Sequence, residues 1–323
     1  MGTPIVISNS NNLRVEVYLI GYAQQGESVI VFIRDVANNA VAYSMVVDSY
    51  EEDCCNKITE ILDNNGIKKT KLNVLCWTHP DADHSVGLET IVQDYCSKET
   101  QVLIPYGLER KDLIINLAEY AELVDKIFDL ETRKNRHVRT VSSGEKQVCS
   151  IDDFEIRAAP HVIPVTIAAL SPCNEYIAEK IHSGKGIHKN LLSILLVLNI
   201  GSYRFLMTGD VESSVIVKMR EEAFINPTWI KIPHHASSSS TRMIEVLEQN
   251  VLFQMFSGTT VKNQSGLPEP GIISMYKALS ECVHCTGIPA IEGTPCFGVI
   301  KYVFDLFGNQ DVHISCEGNA HIC

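Results

Sequence analysis

At 323 residues, with 45% hydrophobic and 20% charged residues, the chain can bury a large core and falls outside the disordered and fibrous classes. A formal net charge of −12, from 39 acidic and 27 basic residues, argues against a general DNA-coating role, which wants a basic face. It leaves room for an enzyme whose bound metal ions reverse the field locally.

The stretches LRVEVYLI (Leu13–Ile20), SVIVFIR (Ser28–Arg34) and VAYSMVVD (Val41–Asp48) predict three neighbouring antiparallel strands. CNKITEILDNNG then puts Ile58, Ile61 and Leu62 on one helical face, with Gly66 as the C-terminal stop. LNVLC is a short buried strand, followed by the polar turn WTHPDADHSVG (Trp77–Gly87) and a helix over VGLETIVQDYC. Next come QVLIP as a strand, DLIINLAEYAELV as a helix and DKIFDL as a strand. The polar, mostly positive connector Arg133–Lys146 leads to FEIRAA, Phe154–Ala159, as a strand. From Pro160 to Lys189 three prolines and no clean period predict a loop with one short helix around NEYIAEKI. LLSILLVLNIGSYRFLMTGD reads as a β-hairpin ending at Asp210. Helix, strand, helix and strand follow over VESSVIVKMREEA, TWIKIP, STRMIEVLEQN and VLFQMF. The tail from Gly258 holds a loop, a helix near IISMYKALSEC and two late strands, GVIKYVFDL and DVHIS. Strand, polar turn and helix alternate repeatedly, which predicts a layered α/β protein with its chemistry at strand ends.

The longest apolar run, Leu191–Ile200, is too short for a membrane span, which needs about 20 residues. No secretory signal is visible at the start, so a cytoplasmic protein without membrane association is expected. The odd count of 11 cysteines in so large a chain points to reduced thiols.

Three strand exits carry ligand-type side chains. His79, Asp81 and Asp83 alternate, so an extended segment points them one way, and His84 follows as the chain bends. Imidazole and carboxylate together suit zinc, manganese or iron, while a hydrogen-bonded polar turn is the plainer alternative. Asp210 ends an apolar strand and stands equally where a helix cap would. In IKIPHHASSSS, His234 and His235 cannot both face one point: either one is a ligand and the other supports it or the substrate, or one is a buried, satisfied histidine and the other is exposed.

Taken together and in order, THPDADHSVGL, NLLSILLVLNIGSYRFLMTGD and IKIPHHASSSS resemble the metallo-beta-lactamase fold superfamily. Within it they are most like the branch found in the hydrolase domains of DNA-uptake competence channel proteins. The resemblance covers roughly residues 13 to 260. It implies a four-layer αββα sandwich over residues 1–257, with 258–323 as an extension packed on the same domain. It further implies two divalent ions, zinc or manganese, with magnesium possible. His79 and Asp81 would hold one ion and Asp83 and His84 the other, with Asp210 bridging and His235 completing the second. His161 is the candidate for a further ligand of the first ion, and Asp83 and His234 are the catalytic candidates. Three positions depart from the pattern: Ala236 where glycine is usual, Leu267 where relatives carry a histidine before proline, and Asp81 in place of a histidine. The last hardens the first ion's shell toward manganese or magnesium.

SGKGIHKN lacks phosphate-loop spacing, although Lys185 and Lys189 could touch a phosphate near the metals. Arg133, Lys134, Arg136 and Arg139 are the best candidates for nucleic-acid backbone contacts. Cys282 and Cys285 form a C-x-x-C without a second tight pair, so ordinary buried thiols outweigh a structural zinc. The expected activity is hydrolysis of a phosphodiester by metal-activated water, on a nucleic acid or nucleotide-like substrate, single-stranded in preference to duplex. A carboxylic ester, lactone or amide hydrolase is the enzymatic alternative, and a protein-partner module that keeps the metal site is the non-enzymatic one.

Overall fold

The computed structural model describes residues 3–7, 12–52, 55–108, 123–125, 127, 137–184, 187–252, 255–287, 295–307 and 312–323. Its strands in chain order begin with β1 (Ile5–Ile7), β2 (Leu13–Tyr22), β3 (Glu27–Asp35), β4 (Ala40–Val47), β5 (Val74–Cys76) and β6 (Gln101–Pro105). There follow β7 (His137–Val141), β8 (Cys149–Ala158), β9 (His161–Ala169), β10 (Leu196–Ile200), β11 (Tyr203–Met207) and β12 (Trp229–Lys231). The last are β13 (Phe256–Thr259), β14 (Cys282–Cys285), β15 (Phe297–Asp305), β16 (Val312–Gly318) and β17 (His321–Ile322).

Among the described residues these strands form two sheets. One runs β16-β15-β2-β3-β4-β5-β6-β7 and the other β1-β8-β9-β10-β11-β12-β13-β14-β17. Period-2 alternation explains how they pack. Val15, Val17, Leu19, Val29, Val31 and Ile33 of one sheet meet Ile156, Val165, Ile167, Leu196, Leu198 and Phe205 of the other in a shared apolar layer. The alternate residues, such as Ile20, Ile30, Phe32 and Leu75, face helices α1 (Lys57–Asn64), α2 (Ile67–Thr70) and α3 (Leu88–Tyr95). Helix α4 (Asn174–His182) adds Ile177 to that layer. On the opposite outer face Val197, Leu206, Ile230 and Val283 pack against α5 (Ser213–Ile216), α6 (Thr241–Asn250) and α7 (Pro270–Leu279). The result is the expected four-layer αββα sandwich.

The expected antiparallel set β2-β3-β4 and the hairpin β10-β11 are present, and Gly66 takes the left-handed conformation at φ 72° after α1. Several expectations need correction. The supposed loop after Pro160 begins instead with the nine-residue strand β9, which buries Ile163, Val165, Ile167 and Ala169 between the sheets. Pro164 is accommodated because it lies beyond the β10 ladder, which pairs Val165 through Ala169. The helix expected over VESSVIVKMREEA shrinks to Ser213–Ile216, and the strand expected over VLFQMF starts only at Phe256. The boundary after residue 257 falls inside β13, and the described residues beyond it add β14 and β17 to one sheet and β15 and β16 to the other. Most of the helix and strand expected over residues 112–130, together with Arg133, Lys134, Arg136 and Lys185, lie outside the described residues.

Parallel pairing gathers the strand exits. β4 and β5 run parallel in one sheet, and β11, β12 and β13 run parallel in the other. Their C-terminal ends come together at one end of the sandwich, where open α/β sheets generally offer a site.

Candidate metal centre

Side chains from these exits converge there. Trp77–His84 leave β5, Asp48 leaves β4, Asp210 leaves β11, His234 and His235 leave β12, and Thr260 and Lys262 leave β13. Asp48 takes φ 60° and Asp81 caps a single 3-10 turn, Ala82–His84, which swings Asp83 and His84 inward. At the β12 exit His234, His235 and Ala236 have φ of 50°, 50° and 60°, three consecutive left-handed residues. Such a run costs of order 1–3 kcal/mol per residue and persists only where surrounding structure enforces it. Here it turns His235 into the interior and leaves His234 at the rim.

His79, Asp83, His84, Asp210 and His235 are fully or almost fully buried, as are Asp48, Glu27 and Lys231 behind them. His235 Nε2 lies 3.0 Å from Asp83 Oδ2 and 3.5 Å from Asp210 Oδ2. His84 Nε2 lies 3.4 Å from Asp210 Oδ1 and 3.9 Å from Asp83 Oδ2. Ligands at about 2.0–2.2 Å from a tetrahedral zinc stand roughly 3.3–3.6 Å apart, so these four side chains outline one ion.

Hydrogen bonds fix which nitrogen each histidine presents. His84 Nδ1 donates to Asp48 Oδ2 at 2.8 Å, since a carboxylate can only accept. Thr78 Oγ1 donates to the same carboxylate at 2.6 Å and therefore accepts from His79 Nδ1 at 3.0 Å. Thr260 Oγ1 donates to Glu27 at 2.9 Å and accepts from His235 Nδ1 at 2.7 Å. All three Nε2 atoms are thus aimed at the centre, where they and Asp210 Oδ2 are buried without a hydrogen-bond partner among the described residues. Lone pairs facing lone pairs at such distances require a proton or a cation between them. Orienting each ligand through its other ring nitrogen is what metal-binding histidines do.

Electrostatics point the same way. Burial would lower the pKa of His84, but Asp210, Asp48 and Asp83 outweigh it and hold the imidazole well above its ordinary value. Burial, and then the neighbouring His84, push His79 down to about 3. Burial would raise Asp210, yet His235, His84 and Lys231 hold it well below the usual carboxylate range. Glu27, His84, Asp210 and His235 offer donor atoms within 4.8 Å of one another. Glu27 is nonetheless a support: Lys231 Nζ sits 2.5 Å from its Oε2, and it approaches His235 from the Nδ1 side at 3.8 Å.

The expected residues do not all arrive. Asp81 is partly exposed and engaged by Lys189 at 3.3 Å and Lys262 at 3.4 Å. His161 is misplaced for a ligand. It is exposed at the start of β9 and stacks on Phe307 at 4.3 Å, whereas the end of β9 that pairs with β10 near the site is Ala169. At about 3.3 Å per residue the strand puts roughly 26 Å between them. His234 stands beside the centre, its Nε2 3.9 Å from Asp210 and its Nδ1 2.7 Å from Ser239 Oγ. Arg139 is spent on the carbonyls of Ile151 and Ser150. Lys262, Glu27 and Thr260 belong to none of the three motifs, and Lys231 lies inside IKIPHHASSSS without being singled out there; Asp48 is visible in the sequence only as the aspartate ending an early strand.

The sequence matches no family model and no curated protein. Solved structures similar to the chain include the metallo-beta-lactamase fold protein YhfI from Bacillus subtilis, at 10% identity and TM-score 0.44, covering 91% of this chain and 99% of that one. A new diphosphatase from the PhnP family is similar at 10% identity and TM-score 0.39, covering 74% of this chain and 85% of that one. Zn(2+)-bound PqqB from Methylobacterium extorquens is similar at 10% identity and TM-score 0.42, covering 84% of this chain and 97% of that one.

Proposed function

We propose that the chain is a metal-dependent hydrolase of metallo-beta-lactamase type that cleaves a phosphodiester, as a nuclease or nucleotide phosphodiesterase. The supporting observation is the convergence of His84 Nε2, His235 Nε2, Asp83 and Asp210 on one buried point beside two lysines. Two imidazoles and two carboxylates suit zinc or manganese. A divalent ion there would polarise a phosphoryl oxygen and lower the pKa of water toward about 7.

The chain's own groups would do the rest. Asp83, His84, Asp210 and His235 hold the ion, and the Asp48 and Thr260 contacts keep both imidazoles aimed. His79 Nε2 lies 4.0 Å from Asp210 Oδ2 and marks the place of a second ion, provided Asp81 is released by its lysines. Lys262 Nζ is 2.9 Å from Asp83 in this form. Once a cation draws off that carboxylate's charge, the ammonium is free to meet an anionic substrate oxygen. Nearby Lys189 adds a second positive group, a preference for anions that a neutral ester would not need. Asn190 Nδ2 donates to His234 Nε2 at 3.4 Å, so Nε2 is the ring's acceptor and Nδ1 carries the proton toward Ser239 Oγ at 2.7 Å, which fixes the ring at the rim of the site. The acidic balance favours a single-stranded or nucleotide-like substrate, with less backbone to neutralise.

The test is metal analysis of protein purified without added metal, followed by rates on bis(4-nitrophenyl) phosphate, single-stranded DNA, 4-nitrophenyl acetate and a lactone. Phosphodiester turnover that Asp210→Asn abolishes, and that Lys262→Gln lowers more than any ester turnover, is the expected result. Turnover of the carboxylic substrates alone would select the ester or lactone alternative. Full metal occupancy with no turnover of any substrate would favour a partner module.

A further inference from the structure

A second cluster of metal-ligating side chains lies apart from the hydrolase centre. Cys285 on β14, His321 on β17 and Cys323 just after it offer three donor atoms within 4.8 Å of one another. The C-x-x-C pair does not form this cluster: Cys282 and Cys285 sit three apart on one strand and face opposite sides of the sheet. Cys282 packs toward the layer between the sheets, whereas Cys323 packs toward the helix layer. Antiparallel pairing sets Cys285 directly opposite His321, and the Cys323 backbone N–H donates to the Val283 carbonyl at 2.8 Å. One residue from one side of a β-ladder and two from the other thereby meet.

We propose that Cys285, His321 and Cys323 bind a zinc ion that clamps β17 onto β14. The donor set is soft, two sulfurs and an imidazole, as zinc prefers. A tetrahedral zinc with bonds of about 2.3 Å to sulfur and 2.0–2.1 Å to nitrogen needs its ligands roughly 3.5–3.8 Å apart, within the span of the cluster. His321 is already oriented: its Nδ1 donates to the Asn319 carbonyl at 3.0 Å, which leaves Nε2 as a free lone pair. Three protein ligands leave a fourth position, and the cluster lines a cavity of about 810 Å³ together with Gln24, Asn263 and Lys277. That room admits a water as fourth ligand. Binding releases the thiol protons, including the one that Cys285 donates to the Gly287 carbonyl at 3.1 Å, and two thiolates balance the charge of Zn²⁺. The need for a clamp is visible as well. β17 has two residues and forms the edge of its sheet, too short to hold itself by pairing alone.

The main centre contains no sulfur, so cobalt distinguishes the two sites. Full-length protein, purified under reducing conditions and stripped of metal, is titrated with Co²⁺ and followed in the near ultraviolet for thiolate-to-cobalt charge transfer. The band is expected in the parent and in Asp210→Asn, and lost in Cys285→Ser and Cys323→Ser. With Zn²⁺, each serine variant should bind one equivalent fewer than the parent. In the parent, zinc should also slow amide exchange at Val283 and Cys323 at least tenfold, a readout that requires no variant. No charge-transfer band in the parent, or a Cys285–Cys323 disulfide recovered by mass spectrometry under reduction, would overturn the proposal. Neither result bears on the hydrolase centre.

Discussion

His235 and His234 are neighbours in sequence with different duties, because three left-handed residues aim one inward and leave the other at the rim. His235→Ala should empty the ion position outlined by Asp83, His84 and Asp210. His234→Ala should retain the ion and slow turnover about 10–100-fold, as expected when a supporting group is removed. Metal stoichiometry and steady-state rates on both variants check this, and retention of the ion in both would remove β12 from the centre. Asp48→Asn tests the support behind His84. It keeps the shape but removes the carboxylate that takes the Nδ1 proton at 2.8 Å. Zinc affinity should fall about 10–100-fold, measured by competition with a chromophoric chelator. The same residue sets a pH dependence. The raised pKa of His84 stabilises the metal-free fold below about pH 6.5, and that contribution is lost as pH rises through the raised value. A metal ion replaces the proton, and binds without having to displace it at high pH. The gap in Tm between zinc-loaded and metal-free protein should therefore widen from pH 6 to pH 9 in thermal scans.

At the scale of elements, strand exits were the legible part. Short apolar runs ending in TGD, in HPDADH or in PHH announce buried strands with polar ends, and the folded chain brings His79, Asp83, His84, Asp210 and His235 within reach of one another. What supports them was not legible. Glu27, Lys231 and Thr260 are single polar residues at ordinary strand ends; the pairing of β11, β12 and β13 brings Lys231 and Thr260 to the site, and Glu27 reaches it from the start of β3 in the facing sheet. β9 was hidden because Pro160, Pro164 and Pro172 read as breakers, although Ile163, Val165 and Ile167 keep a strand's alternation. His161 is a candidate only because the resemblance implies a further histidine in that region, and the strand places it at the end of β9 away from the site. Ile167 lies fully buried between the sheets. Ile167→Ala should cost about 2–5 kcal/mol in denaturant unfolding while leaving metal content unchanged. A matching loss of metal would mean that β9 positions the site after all.

At the scale of the whole molecule, the centre draws its ligands from both sheets: Asp83 and His84 follow β5, while Asp210 and His235 follow β11 and β12. The layer joining those sheets elsewhere is apolar, and apolar contact resists separation without specifying a fixed alignment. An ion ligated from both sides would supply that alignment like the clasp of a book. With free zinc about a thousandfold above its Kd, linkage adds about 4 kcal/mol to the folded state, so a chelator should lower the Tm by several degrees. The clasp also makes a mechanical prediction. Its removal should let the two covers part first at the clasped edge, so that amides at the ends of β5, β11 and β12 gain exchange together, while those at the far end, around the start of β9, keep their protection.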